Sequence, residues 1–254
     1  MYRLFDTHAH LEQLENLGDA LARARDAGVT GIIGVGMDYD SNRKILEIAD
    51  EYPGMVFPAL GWHPWEISSA EMDRSLAFIE ENMDRAVAVG EIGLDYHKRV
   101  RERADKELQK DVLKKLLGIA RRHDKPALVH SRYAWRDALD TVLECGVTRA
   151  VFHWYTGPSS VLRDILINGF HLSATPSVEY HEEHRRAVKE APAERLLLET
   201  DAPVVYGRGR DIEFTSMPAD VRRSLDGASL LKGIDGVKLA ETTTRNALDL
   251  FNLG

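Results

Sequence analysis

Cysteine is nearly absent from this sequence, which has a single one, Cys145, in 254 residues. One thiol cannot form a disulfide within the chain, so the fold cannot depend on an intramolecular cross-link. Long apolar runs are missing too, since no segment has the roughly 20 consecutive apolar residues that span a bilayer. The opening stretch, MYRLFDTHAH, lacks the basic and apolar regions of a signal peptide. We therefore expect a cytoplasmic protein that does not associate with membranes.

An excess of basic residues is also missing. The chain has 33 Lys and Arg against 41 Asp and Glu, which gives a formal net charge of -8. Proteins that bind duplex nucleic acid through their overall field are usually basic. Any nucleic-acid substrate must therefore be bound by a local patch, or by cations that meet its phosphates. The hydrophobic content of 44% is ordinary for a globular domain.

Short apolar runs alternate with longer amphipathic stretches along the chain. Eight runs have the length and composition of strands buried on both faces. These predicted strands are Tyr2–His10, Thr30–Gly36, Val56–Pro64, Ala86–Asp95, Pro126–Arg132, Arg149–Tyr155, His171–Pro176 and Leu196–Pro203. The helical patterns between them are Leu14–Ala27, Ser41–Tyr52, Ser69–Met83, Arg103–His123, Ala134–Glu144, Ser159–Asn168 and His181–Glu190.

This alternation predicts parallel strands joined by helical crossovers. Eight strand–helix units in a chain of this length fit a closed (β/α)8 barrel, the TIM barrel, and we expect residues 1–254 to form one such domain. An open doubly wound sheet is the alternative. After the eighth strand we expect a loop over Val204–Pro218 and helices near Ala219–Leu225 and Val237–Phe251.

Residues that can bind metals lie at the ends of several predicted strands, where a barrel collects its catalytic groups. In the first strand Asp6, His8 and His10 alternate with other residues and share one face. In the fourth strand Glu91 interrupts an apolar run, where a carboxylate would be costly to bury without partners. Six residues on five strands therefore predict a metal site at one mouth: His8, His10, Glu91, His130, His153 and Asp201.

The ordered motifs of the chain resemble those of the TatD family of metal-dependent deoxyribonucleases, a branch of the amidohydrolase-like barrels. The motifs are DTHAH, GWHP, GEIGLDY, HSR, HWYTG and ETDAP, and together they extend over nearly the whole chain. The resemblance implies His8, His10, Glu91 and Asp201 as ligands of one ion, and Glu91, His130 and His153 as ligands of a second. Glu91 would bridge the two. No lysine stands at the fourth-strand position, which argues against relatives that bridge their metals through a carboxylated lysine.

The chemistry implied is hydrolysis of a phosphodiester by water activated between two divalent ions. Asp201 is the expected proton acceptor, and Glu91 is catalytic through its bridging position. The ions would be Mg, Mn or Zn, because histidine and carboxylate ligands suit all three. The resemblance also implies that His63, in GWHP, stands at the family position near the substrate phosphate. Asp6 and Glu199 are expected to support ligands rather than to bind metal.

The resemblance implies a nucleic-acid substrate, with 3′-5′ exonuclease action on single-stranded DNA. Hydrolysis of D-aminoacyl-tRNA, or of a small ester, amide or lactone, is the alternative, and a metal-binding interaction module without catalysis is a third reading. Four aromatic residues near the predicted mouth either stack on bases or pack in the core: Trp62, Trp65, Trp154 and Tyr155. The loop at 208–214 reads RGRDIEF where relatives commonly carry Arg-Asn-Glu-Pro. No oligomeric state follows from the sequence.

Overall fold

The computed structural model describes residues 2–68 and 70–254. Eight parallel strands follow one another in chain order, β1 to β8, in one sheet, and helices connect them. The strands are β1 Leu4–Ala9, β2 Val29–Val35, β3 Val56–Leu60, β4 Ala88–Asp95, β5 Ala127–Arg132, β6 Ala150–Phe152, β7 His171–Ala174 and β8 Leu196–Leu198. The short strands β9 Val205–Tyr206 and β10 Phe214–Thr215 form a separate antiparallel pair.

The α-helices alternate with the strands as the sequence predicts. They are α1 Leu17–Asp26, α2 Tyr39–Glu51, α3 Met72–Glu81, α4 Lys98–Arg101, α5 Lys106–Arg122, α6 Trp135–Glu144, α7 Ser159–Ile167, α8 Glu182–Glu190, α9 Val221–Lys232 and α10 Gly236–Phe251. Ser69, the predicted start of the third helix, lies outside the described residues. Among residues 2–68 and 70–254, no helix has both the length and the apolar character that a membrane span requires.

By their contacts the described residues divide into two compact units. Unit 1 contains residues 2–34, 48–57 and 172–254. Unit 2 contains residues 35–47, 58–68 and 70–171. The single domain expected over residues 1–254 stays a prediction.

In unit 1 the first strand of the chain lies beside the last. Strand β1 pairs with β2, and β7 pairs with β8, both in parallel. An isolated parallel bridge joins Ala9 to Ala202, just beyond β8. Two backbone hydrogen bonds strengthen this junction, from Asp201 N to His8 O at 2.9 Å and from His10 N to Ala202 O at 2.8 Å. The strand order therefore returns to its beginning, as a closed barrel requires.

Helix α10 in unit 1 packs against both β1 and β8. The hydroxyl of Thr244 donates to Arg3 O at 2.8 Å, and the side-chain amide of Asn246 donates to Leu196 O at 2.9 Å. Asp235 caps the helix by accepting from the backbone N–H groups of Val237 and Lys238. This capped helix thus holds the two strands that carry the DTHAH and ETDAP motifs.

In unit 2 the strands β3, β4, β5 and β6 pair in parallel and in chain order. Two glycines allow the backbone to come close around Glu91. A Cβ on Gly61, just after β3, would lie 2.4 Å from the backbone nitrogen of Glu91. Gly93 has φ +152°, and a Cβ there would lie 2.0 Å from His130 O on β5. A larger residue at Gly61 would push the end of β3 away from Glu91, and one at Gly93 would push β4 away from His130 on β5.

Candidate metal centre

In unit 2, three histidines converge on one carboxylate oxygen. Glu91 Oε1 lies 2.8 Å from His153 Nε2, 3.0 Å from His130 Nδ1 and 3.3 Å from His63 Nε2. The Glu91 side chain is only 3% exposed. We call these four residues, His63, Glu91, His130 and His153, the Glu91 cluster. Their ligand atoms include a group, from His63, Glu91 and His130, that lies within 4.8 Å of one another and could hold a metal ion.

His63 differs from the other histidines of the cluster in what its second ring nitrogen does. The backbone N–H of Trp65 donates to His63 Nδ1 at 3.2 Å. Because Nδ1 accepts this hydrogen bond, the proton of the neutral ring is on Nε2, which faces Glu91. In this tautomer His63 donates a hydrogen bond at the cluster through Nε2. The substrate-binding role expected from the sequence stays a prediction.

Asp95 is a site residue that the sequence reasoning missed. It is fully buried at the end of β4, and its Oδ2 lies 3.4 Å from His130 Nε2. The guanidinium of Arg132 donates to both carboxylate oxygens, at 3.1 and 2.7 Å, and the indole N–H of Trp65 donates to Oδ2 at 2.7 Å. His130 is thus held between the carboxylates of Glu91 and Asp95, which fixes its ring orientation.

These contacts change the pKa of both groups. Burial by itself would raise the pKa of Asp95, but the hydrogen bonds from His130 and Arg132 outweigh it and hold that pKa well below the ordinary value of 3.8. Burial opposes the protonation of His130, yet the adjacent carboxylates of Asp95 and Glu91 raise its pKa above 6.5. The negative charge around His130 therefore favours a cation at this position, whether a proton or a metal ion.

In unit 1, the junction of β1 with β8 brings together His8, His10 and Asp201, which we call the Asp201 cluster. Asp201 Oδ1 lies 3.3 Å from His10 Nε2 and 3.6 Å from His8 Nε2. The two imidazole rings are 5.2 Å apart and nearly perpendicular. Asp201 itself has φ +50°, a left-handed conformation that is uncommon outside glycine and frequent at functional sites.

Asp6 is buried beside this cluster and accepts hydrogen bonds from both strand-end motifs. Its Oδ2 accepts from the Thr200 hydroxyl at 2.6 Å, and its Oδ1 accepts from the backbone N–H of Thr200 at 3.0 Å and of His8 at 3.3 Å. Burial raises the pKa of Asp6 well above 3.8. Asp6 therefore fixes the backbone of the two motifs and contacts no imidazole ring through any of these bonds.

The four aromatic candidates for base stacking divide into two groups. Trp62 and Tyr155 are buried, and the Tyr155 hydroxyl donates to Pro158 O at 2.9 Å. These two pack in the core. Trp154 is half-buried, whereas Trp65 is 41% exposed. Of the four, Trp65 presents the largest exposed fraction to a substrate.

Comparison with known proteins identifies the family. The family model for TatD related DNase matches residues 5–252. The chain belongs to the TatD family.

Relatives and solved structures agree with this assignment. The chain is 33% identical to the "uncharacterized metal-dependent hydrolase YabD" of Bacillus subtilis, with 98% of this chain and 99% of the relative covered. It is 31% identical to human "deoxyribonuclease TATDN3" over 98% of this chain and 94% of that one. The crystal structure of the TatD homologue YjjV of Escherichia coli superposes with a TM-score of 0.87 at 27% identity, covering 99% of both chains.

These findings confirm the predicted (β/α)8 barrel fold, with its eight parallel strands, and the resemblance to TatD enzymes. The chain is a TatD-family, metal-dependent hydrolase that acts on ester bonds. Its buried histidine and carboxylate groups provide a donor set that suits divalent cations.

Proposed function

We propose that this protein is a two-metal exonuclease that shortens single-stranded DNA from its 3′ end. The observation that carries the proposal is the Glu91 cluster, where three imidazole nitrogens lie within 3.3 Å of one buried carboxylate oxygen. Such a group is costly to bury unless cations or protons balance its charge. Two divalent ions, Mg, Mn or Zn, would meet that need.

The two ligand sets follow the family pattern. His8, His10, Glu91 and Asp201 would hold one ion, and Glu91, His130 and His153 the other, with Glu91 in both sets. The distances within each cluster support this, since every proposed histidine ligand already faces a carboxylate oxygen. The parallel strand order supports it as well, because the carboxyl ends of barrel strands gather at one mouth.

Bound divalent ions would supply positive charge that lowers the pKa of an attacking water and stabilises charge on a phosphoryl oxygen. Asp201 is the proposed acceptor of the proton that the water loses, since its carboxylate is 9% exposed at the side chain and faces the two histidines of β1. The Nε2–H of His63 would donate to a phosphate oxygen of the substrate. Neither proposed role requires a serine or cysteine nucleophile, so no covalent intermediate is proposed.

The substrate class rests on the family and on named relatives. The family description is a DNase, and a relative in Erwinia tasmaniensis, 30% identical over 98% of this chain and all of its own length, is named "3'-5' ssDNA/RNA exonuclease TatD". Because the net charge of the chain is -8, a nucleic-acid substrate would have to bind through metal cations and a local basic patch. A cytoplasmic location stays a prediction from the sequence.

The experiment is a substrate panel with the purified protein. A 5′-labelled single-stranded oligonucleotide, a D-aminoacyl-tRNA and a chromogenic phosphodiester are each incubated with and without Mn. We expect a ladder of products shortened from the 3′ end, formed only when divalent ions are present, and a slower hydrolysis of the dye. Deacylation of the tRNA in the absence of any DNA cleavage would contradict the proposal.

A further inference from the structure

Unit 2 has a cavity of about 260 Å³ beyond the Glu91 cluster. It is formed where the chain leaves β4, β5 and β6, at their carboxyl ends. Its lining is aromatic and charged, and the residues that matter here are Tyr96, Lys106, Tyr133, Trp135, Arg136 and Asp137. Ligand sites for drug-sized molecules are usually about 300–1,000 Å³. The smaller volume here suits a single planar ring better than a large cofactor.

Tyr133 is the aromatic group that this cavity presents to solvent. Its side chain is 61% exposed, and of residues 2–68 and 70–254 only Tyr133 and Trp65 are exposed aromatics. Its backbone has φ +58°, a left-handed conformation that strains a bulky residue. The ring is stacked on His97, with centroids 6.4 Å apart and planes 25° apart, and meets Trp135 edge-on at 5.9 Å. A strained backbone thus holds the Tyr133 ring exposed to solvent, against the rings of His97 and Trp135.

Of the three basic side chains Lys106, Lys110 and Arg136 around the cavity, Lys106 is the one that forms no ion pair among the described residues and can bind an anionic ligand. Lys110 pairs with Asp137 at 2.8 Å, and Arg136 pairs with Asp164 at 2.5 Å. Lys106 lies instead over the Tyr96 ring, with Nζ 4.3 Å from the centroid. Within the described part of the chain, no carboxylate oxygen is recorded within 4.0 Å of that ammonium group. A phosphate could therefore bind Lys106 without displacing an ion pair.

Two residues that line the cavity directly follow, in the chain, residues that contact the Glu91 cluster or its neighbours. Tyr96 follows Asp95, and Tyr133 follows Arg132, and both Asp95 and Arg132 belong to the network around His130. The backbone N–H of His97 also donates to Asp95 at 2.8 Å. Tyr96 comes five residues after Glu91 in the sequence, so their Cα atoms are at most roughly 18 Å apart. One short oligonucleotide can reach both places.

We infer that this cavity binds an unpaired base of the nucleic-acid substrate, away from the bond that is cut. The base stacks on Tyr133, and Lys106 binds the phosphate next to it. Stacking on an aromatic face beside a cation is how proteins hold single strands without reading their sequence. This inference rests on the proposed function, because it assigns a binding site to the same single-stranded substrate.

Tyr133→Asn tests the inference, because asparagine tolerates the left-handed backbone while removing the ring. The quantity measured is kcat/KM for a single-stranded oligonucleotide divided by kcat/KM for a chromogenic phosphodiester too small to reach the cavity. We expect this ratio to fall about 5-fold or more, and to fall also in Lys106→Ala. Tyr133→Phe, which keeps the ring, should retain the wild-type ratio. Trp65 is unsuitable for this test, because its indole donates to Asp95 and its loss would disturb His130.

Ile167→Ala and Lys238→Ala are the controls, since the first removes an exposed apolar side chain on α7 and the second an exposed lysine on α10. Both should leave the ratio unchanged. A ratio that stays at the wild-type value in Tyr133→Asn and Lys106→Ala would overturn the inference and leave the proposed function standing.

Binding of a labelled oligonucleotide, followed by fluorescence anisotropy in an Asp201→Asn background, separates this inference from the proposed function. If wild-type protein does not cut single strands, the proposed function fails. The cavity is then still supported if adding Tyr133→Asn weakens binding about 5-fold or more. It is overturned if binding is absent or is unaffected by that substitution.

Discussion

At the scale of single residues, Glu91 Oε1 has an unusual environment, because it faces imidazole nitrogens from β5, from the end of β6 and from the loop after β3. If Glu91 bridges two ions, Glu91→Gln removes the charge that both share. We expect the metal content to fall from two ions per chain to below one, measured by elemental analysis of unchelated protein. Glu80→Gln makes the same chemical change at the surface ion pair with Arg122 and should retain both ions. Full metal retention in Glu91→Gln would contradict the bridge.

The proposed proton acceptor is tested by Asp201→Asn, which keeps the size of the side chain and one ligating oxygen. A positioned general base contributes roughly 10²–10⁴ in rate, so kcat should fall by that factor when metal occupancy, measured in the same sample, is complete. His63→Ala is the contrast. Because the Nε2–H of His63 donates, we expect this variant to keep its metal and to raise KM for a phosphate-bearing substrate. A fully loaded Asp201→Asn enzyme with near-parent kcat would place the proton acceptor elsewhere.

Asp95 gives a prediction about pH. Its pKa is lowered in the folded protein, so its contribution to stability is complete above the unfolded value near 3.8 and is lost as the pH falls below that value. In chelated protein, Asp95→Asn should lower the free energy of unfolding by about 1–3 kcal/mol at neutral pH, because it weakens charged hydrogen bonds. The deficit should shrink toward pH 3, as urea titrations would show. Asp111→Asn, at an exposed pair with Lys115, should cost less than about 1 kcal/mol.

The sequence could predict which residues carry chemistry better than it could predict their supports. His8, His10, Glu91 and Asp201 stand out because polar groups interrupt apolar strands. Asp95 ends β4, the strand that carries Glu91, and could have been found, since a buried aspartate needs partners and Arg132 ends the next strand. The tautomer of His63 could not be predicted from the sequence, because it depends on a hydrogen bond from one backbone N–H, that of Trp65, in a loop.

At the scale of secondary-structure elements, several predicted strands are too long at their carboxyl ends, whereas the fourth and fifth end where predicted, at Asp95 and Arg132. The third was predicted as Val56–Pro64, and β3 ends at Leu60. The sixth was predicted as Arg149–Tyr155, and β6 ends at Phe152. Apolar and aromatic residues continue past the last ladder bond because the loops at this end are themselves buried around the site. Periodicity does not distinguish a buried loop from a buried strand.

The predicted loop Val204–Pro218 contains a short hairpin instead of irregular chain throughout. Strands β9 and β10 pair through Phe214 with Tyr206 and Thr215 with Val205. Gly207 and Gly209 take positive φ values of 65° and 71° in the connection, as turn glycines do. One arginine of this loop, Arg210, has its guanidinium 4.9 Å from the centre of the Tyr180 ring.

Helix α10 gives a prediction for an element. Asp235 accepts two backbone N–H groups at its N-terminus, so Asp235→Ala should lower stability by about 1 kcal/mol. In a chain of this size that corresponds to a Tm about 2–4 °C lower, which differential scanning calorimetry can measure. Asp235→Ser retains the capping oxygen and should lose much less. Equal losses in both variants would show that the cap does not stabilise the helix.

At the scale of the whole molecule, the net charge of -8 makes the salt dependence informative. If only a few cations, such as Lys106, meet the single strand, the slope of log kcat/KM against log salt should be shallow, about -1 to -2 for two or three phosphate contacts. The chromogenic diester should show a slope near zero. A slope several times steeper for the oligonucleotide would show an extended basic track that the chain's charge balance does not indicate.

The order of elements was predictable for the whole molecule because each strand–helix repeat carries its own local signal. The division into two units could not be predicted, since it depends on contacts between residues far apart in sequence. Unit 1 joins residues 2–34 to 172–254, whereas unit 2 is nearly continuous.

That division has a consequence for synthesis on the ribosome. The Glu91 cluster needs only residues 63–153, so its parts are available when little more than half of the chain has been made. The Asp201 cluster joins residues 8 and 10 to residue 201, and its strands are held by α10. A ribosome that stalls before α10 therefore releases a fragment that lacks the helix packed against β1 and β8. We therefore expect a fragment that ends before α10, at residue 235, to show no hydrolytic activity.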